Sequence, residues 1–371
     1  MGKGNKRNSL CWCDSGLKFK NCHANRESEE KVKIYDVEKD FKTSHTKRMC
    51  MAPEKLHSEC NKRIINAHTI SKSSNLKQIS KDGHVLGFKK NIQELHKNNG
   101  IFPIGKIGIN NASILNNFCS THDKELFSVI EDQEFIFSNE QIFMLAYRII
   151  CRELYLKYCS QTSSMNMKKY DKGFSLKEQI YIQSTVDFML NGAELAIRDL
   201  ENLKNKFDDL LLKKDFSKIK YYCLILDSVP QIMSSCGWIP TDDFDGNKLA
   251  NLNNTLELFN NLSVSTIALG QKGAVIFAWL DVFEKDYCLP FIESLNKIPN
   301  DNKGSAILNW LLQCNENIFF SEDWWNGLDK NKQNLMINLV MEIMTNCVNF
   351  TNYVNYKDFL SWNITEIKKN Y

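Results

Sequence analysis

The stretch CWCDSGLKFKNCH at residues 11–23 determines how the amino-terminal end of the chain folds. Its potential metal ligands follow the order C-x-C, eight residues, then C-H, and are Cys11, Cys13, Cys22 and His23. Three thiolates and one imidazole make a closed tetrahedral zinc site, and a segment this short needs a metal ion to fold. Gly16 lies in the turn that brings the two halves together, because glycine accepts positive φ. We therefore predict a structural zinc ion here.

This pattern resembles the SEC-C zinc knuckle. Trp12 replaces the proline that is usual near the first cysteine, while Lys18, Phe19 and Lys20 keep the basic and aromatic character of the family. The resemblance implies zinc binding and either protein docking or an accessory role beside other domains. The two lysines and the aromatic ring also suit a phosphate backbone.

Charge divides unevenly along the chain. Residues 1–122 contain 22 Lys and Arg against 11 Asp and Glu, a net charge of +11, and the rest contain 25 against 33, a net charge of −8. A basic region of this kind most often binds nucleic acid. We predict a nucleic-acid partner for residues 1–122, DNA ahead of RNA, with a solvated lysine-rich surface as the alternative.

Composition limits the class of protein. The 371 residues are 43% hydrophobic, which supports a buried core and two or three domains. The chain contains no apolar run near the roughly 18 residues of a membrane span, and its basic start lacks the apolar core of a secretion signal. We expect a cytoplasmic protein with no membrane partner.

Cysteine usage also argues against a secreted protein. An odd total of 13 cysteines argues against a complete disulfide framework. Those after residue 150 stand singly among mostly apolar neighbours, which is typical of small core residues. They are Cys151, Cys159, Cys223, Cys236, Cys288, Cys314 and Cys347.

A second set of metal ligands lies between residues 50 and 122. Cys50 is paired with Cys60, and Cys119 is paired with His122 in a C-x-x-H pattern that opens a helix. Two separated ligand pairs, each near a turn, are typical of a treble-clef zinc site. The short β-like run between them ends at His68. We predict a second structural zinc ion.

These residues resemble the HNH, or ββα-metal, endonucleases. The match places Ala67-His68 on the first hairpin strand and gives Asp123 the position of the family's metal-binding histidine. The resemblance implies that His68 activates water and that Asp123 holds Mg²⁺ or Mn²⁺ against the scissile phosphate. Imidazole and carboxylate are suited to those roles. Asn111 is our candidate for the family's middle asparagine, with Asn116 also near.

Each of these residues also has a structural interpretation. His68 would be a hairpin histidine bonded to backbone, Asp123 an acid favoured by a helix N-terminus, and His84 a strand-edge residue. The four ligands would then form a zinc module without activity. His68 and Cys119 are 51 positions apart, about double the family's spacing, so we expect an insertion at 82–106.

Beyond residue 135 the sequence predicts helices and then strands. Capping-box patterns beginning at Ser138 and Ser175 predict helices over 139–158 and 176–213, the second kinked at 191–192. Later apolar runs predict strands followed by helices. The predicted strands are 220–226, 263–269 and 273–280, and the predicted helices are 281–296, 304–314 and 331–347.

This carboxy-terminal part contains neither a phosphate-binding glycine loop nor a catalytic triad pattern. We therefore expect it to sense, to act as a scaffold or to dimerise. A protein partner would bind there or at the knuckle, and homo-oligomerisation stays open.

The predicted fold class is α+β. It combines a small zinc knuckle, a zinc-stabilised ββα-metal (treble-clef) module and a larger, helix-rich α+β domain. The predicted divisions are a knuckle at 1–26, a linker at 27–45, a nuclease-like module at 46–135, and a regulatory or sensor domain at 136–371, helical over 136–218 and mixed over 219–371.

The function predicted from these features is metal-dependent hydrolysis of phosphodiester bonds. Such a composite resembles bacterial antiviral or toxin-type effectors, by family analogy alone. The main rival is a zinc-stabilised interaction protein with an inactive nuclease-like module. A weaker rival is a sequence-specific DNA-binding regulator.

Overall fold

The computed structural model of the protein describes residues 7–89, 91–342, 351, 358–360 and 362–371. The chain forms two compact units, each assembled from separate stretches of sequence. The first contains Met1–Lys47 and Leu156–Arg198, and the second contains Arg48–Tyr155 and Asp199–Tyr371. Within the described residues, no helix is both long and apolar enough to cross a membrane.

Helices account for much of the described part of the chain. In chain order they are α1 (Ile34–Ser44), α2 (Lys77–Ile79), α3 (Ile92–Lys97), α4 (Ser120–Glu131), α5 (Asn139–Met167), α6 (Leu176–Lys213), α7 (Cys288–Lys297), α8 (Asn300–Cys314), α9 (Glu322–Gly327) and α10 (Lys330–Glu342). The helix predicted at 331–347 is described as far as Glu342, and Cys347 lies outside the described residues.

The two long helices begin where their capping residues predict. Ser138 Oγ accepts a hydrogen bond from the Gln141 amide at 3.2 Å. At the start of α6, the Glu178 carboxylate accepts from the Ser175 amide at 2.9 Å, while Ser175 Oγ accepts from the Glu178 amide at 3.5 Å. The second arrangement is a complete capping box. Helix α6 continues through Gly192 as one helix.

In the part of the chain that the structure describes, ten strands complete the fold. They are β1 (Ile64–His68), β2 (His84–Phe88), β3 (Ile104–Gly108), β4 (Ile114–Cys119), β5 (Ile219–Leu226), β6 (Ile232–Trp238), β7 (Leu262–Leu269), β8 (Lys272–Leu280), β9 (Ile318–Phe320) and β10 (Ile364–Lys369). Eight of them form one sheet in the order β10-β5-β8-β7-β6-β9-β2-β3, and β1 pairs with β4. The predicted α+β class is confirmed.

The large sheet is antiparallel throughout its described pairs, and one face packs against α7 and α8. Val264, Phe277 and Trp310 are fully buried in that core. A smaller cluster that includes Ile70, Leu76 and Met233 lies apart from it. Because side chains alternate along a strand, Ile232 packs in the first core and Met233 packs in the smaller cluster.

The segment that carries His68 is a hairpin followed by a helix. Strand β1 pairs antiparallel with β4, with His68 opposite Ile114, and α4 begins directly after β4. The expected insertion between the two strands supplies β2, α3 and β3. Strands β2 and β3 extend the large sheet, an arrangement that the sequence analysis did not predict. Val85 and Leu86 are buried there, so burial of apolar residues explains the placement.

Candidate metal centres and catalytic groups

The amino-terminal cysteines and histidine converge as the sequence predicts. The ligand atoms of this cluster all lie within 4.8 Å of one another, and its members are Cys11, Cys13, Cys22 and His23. Asp14 and Gly16 adopt φ values of 54° and 72° in the turn between the two halves. The Cys11 amide then donates to the Leu17 carbonyl at 2.7 Å and closes the turn. Three thiols and one imidazole in this arrangement fit a structural zinc ion.

The histidine of this cluster is held by a buried carboxylate. His23 Nε2 donates to Asp171 Oδ2 at 2.9 Å, and Asp171 has no exposed surface. The same carboxylate accepts from Arg26 Nε and, at 2.7 Å, from Gln183 Nε2. Since Nε2 carries the proton, Nδ1 is left as the ligand atom, and it lies 3.1 Å from the Sγ atoms of Cys11 and Cys22. Asp171 therefore orients the imidazole.

Sequence analysis missed Asp171. It is 148 positions from His23 and stands beside a lysine and a glycine in a turn between two helices. This local context gives no sign of a metal site. Asp171 is buried because α5 and α6 place the turn that carries it against the knuckle in the first unit.

The second cluster converges in the second unit. Its ligand atoms also lie within 4.8 Å of one another, and its members are Cys50, Cys60, Cys119 and His122. Cys119 caps α4, where its Sγ accepts from the His122 amide at 3.4 Å. His122 Nδ1 lies 3.3 Å from Cys50 Sγ and 3.4 Å from Cys119 Sγ. The start of the helix therefore places two of the four ligands.

Burial disfavours thiolate charge at Cys50 of this cluster. It raises the pKa of the Cys50 thiol to about 11. It also acts to raise the pKa of Cys119, but hydrogen bonds from the His122 amide and the Cys60 side chain outweigh it and lower that pKa. A divalent metal supplies the positive charge that allows adjacent thiols to ionise. Three soft donors and one imidazole fit zinc.

His68 lies at the end of β1, partly buried. Its Nε2 donates to the Ile109 carbonyl at 3.1 Å. A carbonyl oxygen only accepts, so Nε2 carries the proton and Nδ1 keeps its lone pair. Desolvation lowers the pKa of His68 below its ordinary value of 6.5, with the Ile109 carbonyl acting in the opposite direction. The imidazole is therefore neutral at pH 7 and suited to accept a proton.

Asp123 follows His122 in the first turn of α4. Its Oδ1 is buried and has no hydrogen-bond partner in the part of the chain that the structure describes. Burial raises the pKa of this carboxyl, and the nearby Arg148 guanidinium lowers it. Asp123 belongs to neither four-ligand cluster. Its buried oxygen therefore lacks the partner that such a group normally has.

Asn111 lies exposed in the turn between β3 and β4. It is two positions beyond Ile109, whose carbonyl orients His68. His84 is exposed at the start of β2, and its Nδ1 interacts with the Asp82 carbonyl at 2.7 Å. The strand-edge interpretation of His84 therefore agrees with its position.

Two residues missed by sequence analysis influence both candidate catalytic groups. Arg148 Nη1 donates to Glu131 Oε1 at 2.7 Å, and the guanidinium lies 4.0 Å from the centroid of the Phe127 ring. The charges of Arg148 and Glu131 act on the pKa of His68 and on that of Asp123. The four groups therefore share one electrostatic neighbourhood. The sequence around Arg148 predicts only a charged residue on a helix and gives no sign of this role.

A basic cleft runs beside β1. It has a volume of about 600 Å³ and is lined by Ile64, Ile65, Asn66 and three exposed cations, Arg48, Lys62 and Arg63. Within the described residues, none of these cations forms an ion pair. The cleft therefore offers uncompensated positive charge beside the strand that carries His68.

Comparison with known proteins identifies one feature. Residues 7–25 match the SEC-C motif, which covers the knuckle and confirms that part of the resemblance. No curated protein and no solved structure matches the chain. The SEC-C match and the two cysteine–histidine clusters together indicate a zinc-binding protein.

Proposed function

We propose that the protein is a metal-dependent endonuclease whose ββα-metal, treble-clef-like module lies within residues 46–135. The observation that carries the proposal is the state of His68: its bonded nitrogen faces a carbonyl, and its other nitrogen is free to accept a proton. The hairpin and helix that carry His68 and Asp123 also carry Cys119 and His122 of the second cluster. A zinc ion there would hold both elements in place.

In the proposed reaction, His68 Nδ1 takes a proton from the attacking water. The Ile109 carbonyl keeps the ring in the tautomer that this step needs. Asp123 would hold Mg²⁺ or Mn²⁺ through its unpartnered Oδ1. Such a cation offsets negative charge on the phosphate and on the leaving oxygen. Asn111, exposed near Ile109, would contact the substrate phosphate.

The basic cleft would bind the nucleic-acid backbone. Arg48, Lys62 and Arg63 are exposed and free of ion pairs among the described residues, so they are available to phosphates. Phosphate contacts of this kind supply affinity without reading sequence. The cleft therefore suits DNA or RNA, and we place DNA first.

A second candidate function is that of a zinc-stabilised interaction protein. The knuckle exposes apolar side chains around its metal ligands, with Leu10 73% and Leu17 51% exposed. Exposed apolar groups on a rigid turn favour protein docking. This function accounts for the knuckle but leaves the buried, unpartnered Asp123 oxygen unexplained.

Incubation with nucleic acid tests the proposal. Purified protein is incubated with plasmid DNA and with RNA, with and without Mg²⁺ or Mn²⁺. We expect cleavage that needs the added cation and is lost in His68→Ala. His84→Ala is the matched control, because His84 is also a strand histidine beside a backbone carbonyl. Absence of cleavage under every cation would refute the enzyme and favour the interaction protein.

A further inference from the structure

The second unit contains a cavity, partly open to solvent, that the proposed nuclease chemistry does not use. Its volume is about 430 Å³, within the ~300–1,000 Å³ of small-molecule sites. The segment after β1, the end of α4 with the loop that follows, and strands β6 and β7 surround it. Leu145 and Arg148 of α5 also line it.

One wall presents buried polar groups without partners. Arg148 is 4% exposed, and its Nε and Nη2 have no hydrogen-bond partner among the described residues. The same holds for the hydroxyls of Ser235 and Ser265, which are 2% and 3% exposed. These two serines face each other across β6 and β7, so their side chains lie on one face of the sheet.

Such groups are uncommon in a folded protein. A buried donor without a partner destabilises the fold because its bonds to water are not replaced. Here several occur together around one cavity, two on the guanidinium and two on adjacent hydroxyls. This concentration favours a ligand that supplies the missing acceptors over a defect of packing.

The remaining lining mixes polar side chains, such as Thr69, Ser71 and Asn75, with apolar ones. The apolar side chains come from the segment after β1, the end of α4 with the loop that follows, α5 and β7, and are Ile70, Ile130, Phe135, Leu145, Ile267, Ala268 and Leu269. Walls of this kind accept a flat or compact apolar body. The ligand must therefore combine such a body with hydrogen-bond acceptors along one edge.

Charge excludes a phosphate at the buried end. Glu131 already neutralises Arg148 through the 2.7 Å bond to Nη1, and Glu134 adds a second carboxylate at the exposed side of the cavity. The cavity therefore has no surplus positive charge for a dianion. A neutral ligand fits better, with acceptors toward Arg148 and donors toward Glu134.

We propose that this cavity binds a guanine-type purine base. Guanine carries two acceptors, O6 and N7, on the edge that an arginine recognises with two N–H groups, and its neighbouring edge carries donors. Nε and Nη2 of Arg148 are nitrogens without a partner among the described residues, and the hydroxyls of Ser235 and Ser265 line the same cavity. Adenine presents a donor where guanine presents O6, so it should be rejected. The base would come from a free nucleoside or from a nucleic-acid strand.

Calorimetric titration and thermal unfolding of the full chain test this site without reference to cleavage. The probes are guanosine, adenosine and 7-deazaguanosine, in which carbon replaces N7. We expect guanosine to bind and to raise the melting temperature. We expect the other two to bind at least about tenfold more weakly. Equal binding of guanosine and 7-deazaguanosine, or no binding of guanosine at millimolar concentration, would overturn the proposal.

Variants separate this site from a purely structural role. Ser235→Ala with Ser265→Ala should weaken guanosine binding about tenfold or more, yet leave the melting temperature of the free protein unchanged or raised, because two unpartnered hydroxyls are removed. Ser263→Ala is the matched control, a buried serine of β7 outside the cavity lining. Unchanged guanosine binding in the double variant would refute the site.

A single-stranded oligonucleotide distinguishes the two sources of the base. In the His68→Ala chain, which is not expected to cleave, a thymine strand with one central guanine is compared with an all-thymine strand. Guanine-dependent binding that competes with guanosine identifies a base in a strand. Guanosine binding without any such preference identifies a free nucleoside. Both results support the cavity as a guanine site.

Discussion

His23 Nε2 lies 2.9 Å from Oδ2 of Asp171, a carboxylate without exposed surface. This contact joins the knuckle to the turn between α5 and α6 within the first unit. Arg26 and Gln183 donate to the same carboxylate, so its lone pairs are engaged from three directions. Metal-ligating histidines are commonly oriented in this way, and the orienting group affects metal affinity. The knuckle is therefore a metal site with its own supporting residues.

The first prediction removes that support. Asp171→Ala should lower zinc affinity of the knuckle by about 10–100-fold, because His23 loses the acceptor that fixes its tautomer. The second cluster shares no residue with this network and should keep its zinc. Chelator competition followed by elemental analysis measures the loss. Asp187→Ala is the control, since Asp187 pairs with Lys168 on the surface of the same unit.

Equal zinc retention in Asp171→Ala and Asp187→Ala would show that the carboxylate does not support the metal. Loss of zinc from both clusters would show that the two sites are not independent.

Local patterns in the sequence were sufficient to predict the candidate metal ligands of the knuckle and the starts of α5 and α6. Cys11 to His23 are close in sequence, and one turn brings them together. Ser175 and Glu178 complete a capping box within a single turn of helix. The strand predicted at 273–280 follows from a continuous apolar run and is observed as Lys272–Leu280. In each case the deciding interactions span few residues.

The features that sequence analysis missed depend on distant pairings. Strand β2 joins β9 through Leu86 and Phe320, a contact that neither stretch specifies alone. Ser235 and Ser265 become neighbours only when β6 and β7 pair in one register. A shift of one residue would turn both side chains to the other face of the sheet. The cavity therefore could not be read from the sequence.

The second prediction concerns the other metal centre. Cys119→Ala should remove one zinc ion per chain and lower the melting temperature of the second unit, because Cys119 both ligates and caps α4. The knuckle should keep its metal. Elemental analysis with thermal unfolding checks both points. Cys223→Ala is the control, a buried cysteine of β5 outside both clusters; if it lost zinc as well, the ligand assignment would be wrong.

The third prediction concerns binding of nucleic acid. Replacing Arg48, Lys62 and Arg63 with alanine should weaken binding of nucleic acid. The slope of the logarithm of the binding constant against the logarithm of salt concentration should become shallower by about one unit for each phosphate that the protein no longer neutralises. Binding measured between low and moderate salt gives this slope. The control replaces three exposed lysines of the same unit, Lys213, Lys214 and Lys218. Equal losses of affinity in both triple variants would mean that the cleft has no special role.

The last prediction concerns the pH dependence of cleavage. Only the neutral imidazole of His68 can accept a proton, and desolvation lowers its pKa below 6.5. As pH falls through that pKa, the base is lost, so kcat/KM should decline from its plateau and reach half the plateau value below pH 6.5. His68→Ala should reduce the plateau by about 10²–10⁴-fold and abolish this acid limb, whereas His84→Ala should keep both. Zinc content measured at each pH excludes metal loss as the cause. An acid limb centred at or above pH 7, or one retained by His68→Ala, would assign the proton transfer to another group.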